Sequence, residues 1–203
     1  MKKTVYIFIL FFFACIFVNC SKSNGNSDGI PLVPNPGGQV GFANETPLAI
    51  EPIPSNSQPG GGGPVETISE INVPIAGTIV DKNKFVVELN IKHTQQNKIS
   101  ISLVAPNGNE YLFVRKAGTT GKYKELNKLR FSAAFTNSLP NTGIDFPAGD
   151  YKESDGTIAN PVPLSPIFSQ IQGTSIQGVW QLKIVDTSIV SSGSLISWRL
   201  IFN

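Results

Sequence analysis

The chain has 203 residues, is 40% hydrophobic and only 15% charged, and carries a formal net charge of +2. Setting aside Lys2 and Lys3 leaves 14 basic side chains against 14 acidic ones, and no basic stripe is present to neutralise phosphates, which argues against nucleic acid as a partner. Both cysteines, Cys15 and Cys20, fall in the first twenty residues, so the sequence beyond them has no disulfide and no thiol chemistry.

Residues 1–19 have the parts of a secretory signal: a basic start at Lys2 and Lys3, then an apolar run from Val5 to Val18. That run is shorter than the roughly 20 residues a membrane-spanning helix needs. Phe17-Val18-Asn19-Cys20 resembles a bacterial lipobox, with Phe17 in place of the usual Leu and Asn19 where a small residue is commoner. The resemblance implies lipidation of Cys20 and a location in the bacterial cell envelope, held to the membrane by acyl chains alone. Residues 20–65 are expected to be a disordered tether. Pro34-Asn35-Pro36-Gly37-Gly38, Pro52-Ile53-Pro54 and the tetraglycine Gly60–Gly63 bury too little apolar surface to offset chain entropy. The tetraglycine precedes no Gly-Lys-Ser/Thr, so it is not a phosphate loop. Asn44-Glu45-Thr46 fits a glycosylation acceptor pattern.

A folded unit over 66–203 follows. Ile68–Val73 is a short strand ended by Pro74, Gly77–Val80 is a second, and Asp81-Lys82-Asn83 is a turn. From Phe85 the alternation is clearest: Phe85, Val87, Leu89, Ile91 and His93 share one face, and Val86, Glu88, Asn90 and Lys92 the other. Ile99, Ile101, Leu103 and Ala105 repeat it, Pro106-Asn107-Gly108-Asn109 turns the chain, and Tyr111–Arg115 returns as a partner strand. Residues 116–128 read as a basic loop and Leu129–Phe135 as another strand. The aperiodic stretch 136–166 reads as a long loop, a kind usually tied to function. Finally, Trp180, Leu182 and Ile184 alternate in one run, and Ile196, Trp198, Leu200 and Phe202 in another. The polar link between them predicts a terminal hairpin. The fold class expected is all-β, a jelly-roll-like antiparallel sandwich of about eight strands.

Three ordered blocks carry a family resemblance. Gly178-Val179-Trp180-Gln181-Leu182-Lys183-Ile184-Val185-Asp186, then Gly193-Ser194-Leu195-Ile196-Ser197-Trp198-Arg199-Leu200, resembles the end of the P domain (Homo B domain) of subtilisin-like proprotein convertases. Ile91-Lys92-His93-Thr94 with Ile99–Gly108 is similar to an earlier block of that family, and Pro163–Phe168 with Gly173 to a third. The resemblance covers roughly residues 66–203. It implies a non-catalytic module that packs against a protease domain, because the family's protease chemistry belongs to a separate, larger domain.

The residues agree with that implication. His93 is the sole histidine, and its parity points it inward, where it reads as a hydrogen-bonded core histidine rather than a triad base. No Gly-x-Ser-x-Gly elbow is present, and one histidine without a cysteine in the domain cannot close a zinc site. Calcium has hard oxygen candidates in Asp186, Asp145, Asp150 and Asp155. Against it, Phe131-Ser132-Ala133-Ala134-Phe135 stands where bacterial relatives often read F-D-D-E-A, so any calcium site built on those acids is lost here. Lys122, Tyr123, Lys124 and Arg130, with Lys128, Arg115 and Lys116 nearby, form a modest basic cluster that could contact an acidic partner or glycan. The expected function is an envelope-anchored, non-catalytic domain that binds or stabilises a protein partner or an extracellular polymer. The alternative is an accessory subunit of a secreted subtilisin-like serine endopeptidase.

Overall fold

The computed structural model describes residues 30–32, 38–54, 64–115, 128–140, 145–153 and 167–203. Its strands, in chain order, are β1 (Ile30–Leu32), β2 (Val40–Asn44), β3 (Leu48–Ile50), β4 (Val65–Val73), β5 (Phe85–His93), β6 (Ile99–Val104), β7 (Glu110–Arg115), β8 (Lys128–Phe131), β9 (Gly149–Tyr151), β10 (Gly178–Asp186) and β11 (Gly193–Phe202). A single helical turn, α1 (Ile167–Gln170), precedes β10. Among the described residues no helix is long and apolar enough to cross a membrane.

Alternation fixes which face each strand buries. In β5, Phe85, Val87, Leu89, Ile91 and His93 are all buried, while Lys92 on the other face is exposed. In β10, Trp180, Leu182, Ile184 and Asp186 are buried in the same rhythm. Two sheets result. One runs β1-β2-β11-β5-β8-β9 with β3 also paired to β11, and the other runs β4-β10-β6-β7. Their inner faces meet in one core. Phe85 of the first sheet stacks 5.8 Å from Trp180 of the second, and Phe131 lies 5.1 Å from Phe113. Each buried indole also finds an acceptor: Trp180 Nε1 donates to the Ile176 carbonyl and Trp198 Nε1 to Ser69 Oγ, both at 2.8 Å.

The β-sandwich stands as expected, with corrections in detail. The described residues form eleven strands rather than about eight, and β8 and β9 pair in parallel. β10 and β11 are not a hairpin. β10 pairs with β4 and β6, β11 with β2, β3 and β5, and the link 187–192 passes from one sheet to the other. Both strands bury one face, so alternation alone leaves their partners open. Within β11 the register against β5 slips between Leu195 and Ser197. This bulge at Ile196 puts Leu195, not Ile196, in the core together with Trp198 and Leu200.

The tether expected over 20–65, and the domain start expected at 66, fail for part of that range. β2 pairs with β11 through Val40–Asn44, β3 does so through Leu48–Ile50, and Phe42 and Ile50 are fully buried. Asn44 is buried too, with Nδ2 donating to Ser69 Oγ (3.1 Å) and to the Glu70 carbonyl (2.9 Å), so that amide is closed to a glycan. Gly77–Val80 forms only an isolated bridge, Thr78 to Ser175. The strand expected over Leu129–Phe135 stops at Phe131, because Ser132 opens a turn: Ala134 N–H donates to its Oγ and Phe135 N–H to its carbonyl. Within the 136–166 stretch lies β9, which lines up beside β8.

Candidate functional site

His93 closes β5 and Asp186 closes β10, so the last residue of each strand brings one polar side chain to the same end of the two sheets. His93 Nε2 donates to Asp186 Oδ2 at 3.1 Å, and neither side chain is exposed. The second ring nitrogen, Nδ1, sits against the Gln95 backbone, 2.8 Å from its carbonyl oxygen and 3.1 Å from its nitrogen. It therefore has a partner whether or not it carries a proton. The second carboxylate oxygen, Asp186 Oδ1, accepts the Ser188 N–H at 2.8 Å. Ser188 Oγ in turn accepts the N–H groups of Val190 and Ser191.

The loop 187–192 hangs on this chain of bonds. Three neighbours pin it further. Ile53 N–H donates to the Ser188 carbonyl, Thr187 reaches the Lys98 carbonyl with both N–H and Oγ1, and Thr94 N–H reaches the Ser192 carbonyl. Gly193 follows because nothing larger fits. A Cβ there would lie 2.2 Å from the Lys92 carbonyl oxygen and 2.6 Å from the His93 ring.

Chemically, the arrangement holds the 187–192 loop to the end of the two sheets. A general base must present a free imidazole nitrogen to a proton it abstracts. Here both ring nitrogens and both carboxylate oxygens are engaged, and the pair is sealed from solvent. The Ser188 Oγ is turned toward backbone N–H groups.

Of the aspartates expected as calcium ligands, Asp186, Asp150 and Asp145 are described. Among the described residues no group of three or more His, Cys, Asp or Glu side chains is placed to hold a metal ion. Asp186 is engaged as above, and Asp150 on β9 pairs with Arg130 on β8, whose Nη1 lies 3.0 and 3.2 Å from the two carboxylate oxygens. Asp145 is half-buried ahead of β9. Arg130, expected in a basic contact surface, also lies over the Phe135 ring at 5.4 Å, so it ties β8 to β9 and to the turn that follows β8. Lys122, Tyr123, Lys124, Lys116, Asp155 and Cys20 lie outside the described residues. What sequence reasoning missed is the pairing of His93 with Asp186. Parity put each on an inner face, but no pattern joins positions 93 residues apart.

The family profile of the proprotein convertase P-domain matches residues 82–202. The chain belongs to the proprotein convertase P-domain family. The P-domain match takes in β5 through β11 and leaves β1 to β4 outside it. No curated protein matches the chain. Among solved structures, the serine protease of Aeromonas sobria aligns at 14% identity and a TM-score of 0.39, covering 81% of this chain and 27% of the protease. The complex of that protease with the chaperone ORF2 aligns at 14% identity and a TM-score of 0.38, covering 81% and 26%. The chain thus spans about a quarter of the length of the proteases it aligns with. P domains are non-catalytic domains of proteases.

Proposed function

We propose that this P domain acts without catalysis, as a binding or stabilising module tethered to the bacterial cell envelope by a lipid on Cys20. Its partner is a protein or an extracellular polymer. The observation that carries the reading is the burial of the single histidine. In a chain whose family supplies the companion of a protease domain, His93 is sealed against Asp186 and holds a loop instead of meeting a substrate. The Cys20 anchor rests on the lipobox-like sequence and the basic, apolar segment before it.

The test is cross-linking in intact cells with the full chain tagged at residue 203, beside a Cys20→Ser variant. The reading expects the tagged chain in the membrane fraction, and expects it to leave that fraction on Cys20→Ser. It further expects one protein or one polymer to be captured reproducibly. Recovery of a single subtilisin-type protease assigns the module to that enzyme as an accessory subunit. Peptide hydrolysis by the pure chain that disappears on His93→Ala, with the fold intact, would overturn the non-catalytic reading.

A further inference from the structure

The lipid on Cys20 proposed above has a reach, and the fold makes that reach short; the inference rests on that proposal. If residues 20–65 all lay outside the fold, the lipid would stand up to about 150 Å from the domain, at about 3.3–3.6 Å per extended residue. Pairing in the first sheet removes most of that length. β2 lies against β11 from Val40 to Asn44, and β1 lies against β2 with Ile30 opposite Ala43. Cys20 and Ile30 are ten residues apart, so the chain between them spans at most about 35 Å whatever path it takes.

The glycine-rich stretch adds nothing to this reach, because both of its flanks are held in the same sandwich. Upstream, β3 pairs with β11 and the Ile53 N–H donates to the Ser188 carbonyl. Downstream, β4 pairs with β10 along its whole length, from Val65 opposite Asp186 to Val73 opposite Gly178. Residues 55–63 therefore connect two points of one folded unit, and Gly60–Gly63 belong to an internal connection. The upstream flank is firmly seated: Phe42 and Ile50 are buried, and Asn44 Nδ2 bonds Ser69 and Glu70 on β4. A pull from the membrane is met at the β1–β2 edge of the first sheet, well before residue 65.

We infer that the domain works close over the membrane, with its β1–β2 edge nearest the lipid and its β8–β9 edge farthest from it. The attached edge can leave the surface by no more than the length of the chain before Ile30. Every other edge can leave by that length plus its own distance across the sheet. β9 lies five strand spacings from β1, about 24 Å at about 4.8 Å each. The β9 edge therefore stays within about 60 Å of the bilayer. A partner that meets this edge brings its contact site inside that height, so the inference narrows the proposed partner to one at the membrane surface.

Fluorescence quenching tests it on the full chain purified from membranes. The described residues contain no cysteine, processing removes Cys15 and acylation occupies Cys20, so one introduced thiol takes the label. Thr46→Cys, between β2 and β3, and Lys128→Cys, on β8, are both exposed positions, and a thermal melt checks each fold. Each labelled chain is placed on vesicles of phosphatidylethanolamine and phosphatidylglycerol that carry a headgroup quencher. The inference expects position 46 to be quenched more strongly than position 128. It expects about thirty Gly/Ser residues inserted after residue 25 to weaken quenching at position 46 about twofold, and the same insert after residue 61 to leave it unchanged. Equal quenching at 46 and 128, or equal effects of the two inserts, would overturn it while leaving the anchor standing. A chain that fails to float with the vesicles refutes the anchor itself, and this inference with it.

Discussion

The two ends of this sandwich are closed by different physics. At one, His93, Asp186 and Ser188 form a chain of directional bonds that runs from the imidazole through both carboxylate oxygens to the loop backbone. At the other, Phe85, Trp180, Phe202 and Phe42 pack as tilted and edge-on rings with centroids 5.3–6.4 Å apart. Polar closure tolerates almost no change, because removing one member leaves the other buried without a partner. Aromatic closure is graded, because rings and neighbours can shift to reduce a void. The polar end accordingly carries a fixed loop and the aromatic end an open groove lined by Ile79, Phe85, Ile176 and Phe202.

The sharpest way to break the contrast is at Asp186. Asp186→Ala strands His93 in the core and is expected to cost about 3–5 kcal/mol in a urea unfolding titration. Asp186→Asn should recover much of that. The amide oxygen can accept from Ser188 N–H while the amide nitrogen donates to His93 Nε2, the ring proton then sitting on Nδ1 against the Gln95 carbonyl. If Asn costs as much as Ala, the end is not closed by directional bonds. The matching change at the other end, Phe202→Ala, removes a partly buried ring and is expected to cost about 1.5 kcal/mol. Phe202→Leu should restore most of it by the same titration, because shape and not direction is at stake.

A smaller effect belongs to neither end and serves as a control. Burial raises the Tyr151 phenol above its usual range, and its hydroxyl donates to the Pro147 carbonyl at 2.8 Å. The folded chain therefore holds that proton more tightly than the unfolded chain. The resulting stability is complete below pH of about 10 and falls as pH rises through the higher folded-state value. Lys183, raised chiefly by its hydrogen bond to Glu110, loses stability in the same direction. Tyr151→Phe is expected to cost about 1 kcal/mol at neutral pH. It should also flatten the fall in melting temperature above about pH 10, a difference that Phe202→Leu should not show.

Much of the fold could be read from residue order alone, where the physics is local. β5 and the Pro106–Asn109 turn follow from alternation and from the positive φ of Gly108, which is +82°. The pairing of β10 and β11 could not be read, since one buried face per strand says nothing about which edge meets which. β2 and β3 escaped notice because five and three residues carry a weak pattern, and prolines and glycines surround them. Their support comes from β11, about 150 residues away in sequence. Of the candidate site, the inward direction of His93 was legible and its carboxylate was not. The bulge at Ile196 decided which of two neighbouring aliphatic side chains entered the core.

β11 lies between β2 and β5, in the interior of its sheet. A ribosome delivers this strand after both of its neighbours, so until then those two have a gap between them where their hydrogen-bonding edges should meet. The pairings that join β2 to β5 wait on its arrival, and these are long-range, which makes the search slow. The β1–β2 pair and the β5–β8–β9 ladder therefore stay separate until β11 is made, and the sheet closes in one step when it arrives rather than strand by strand.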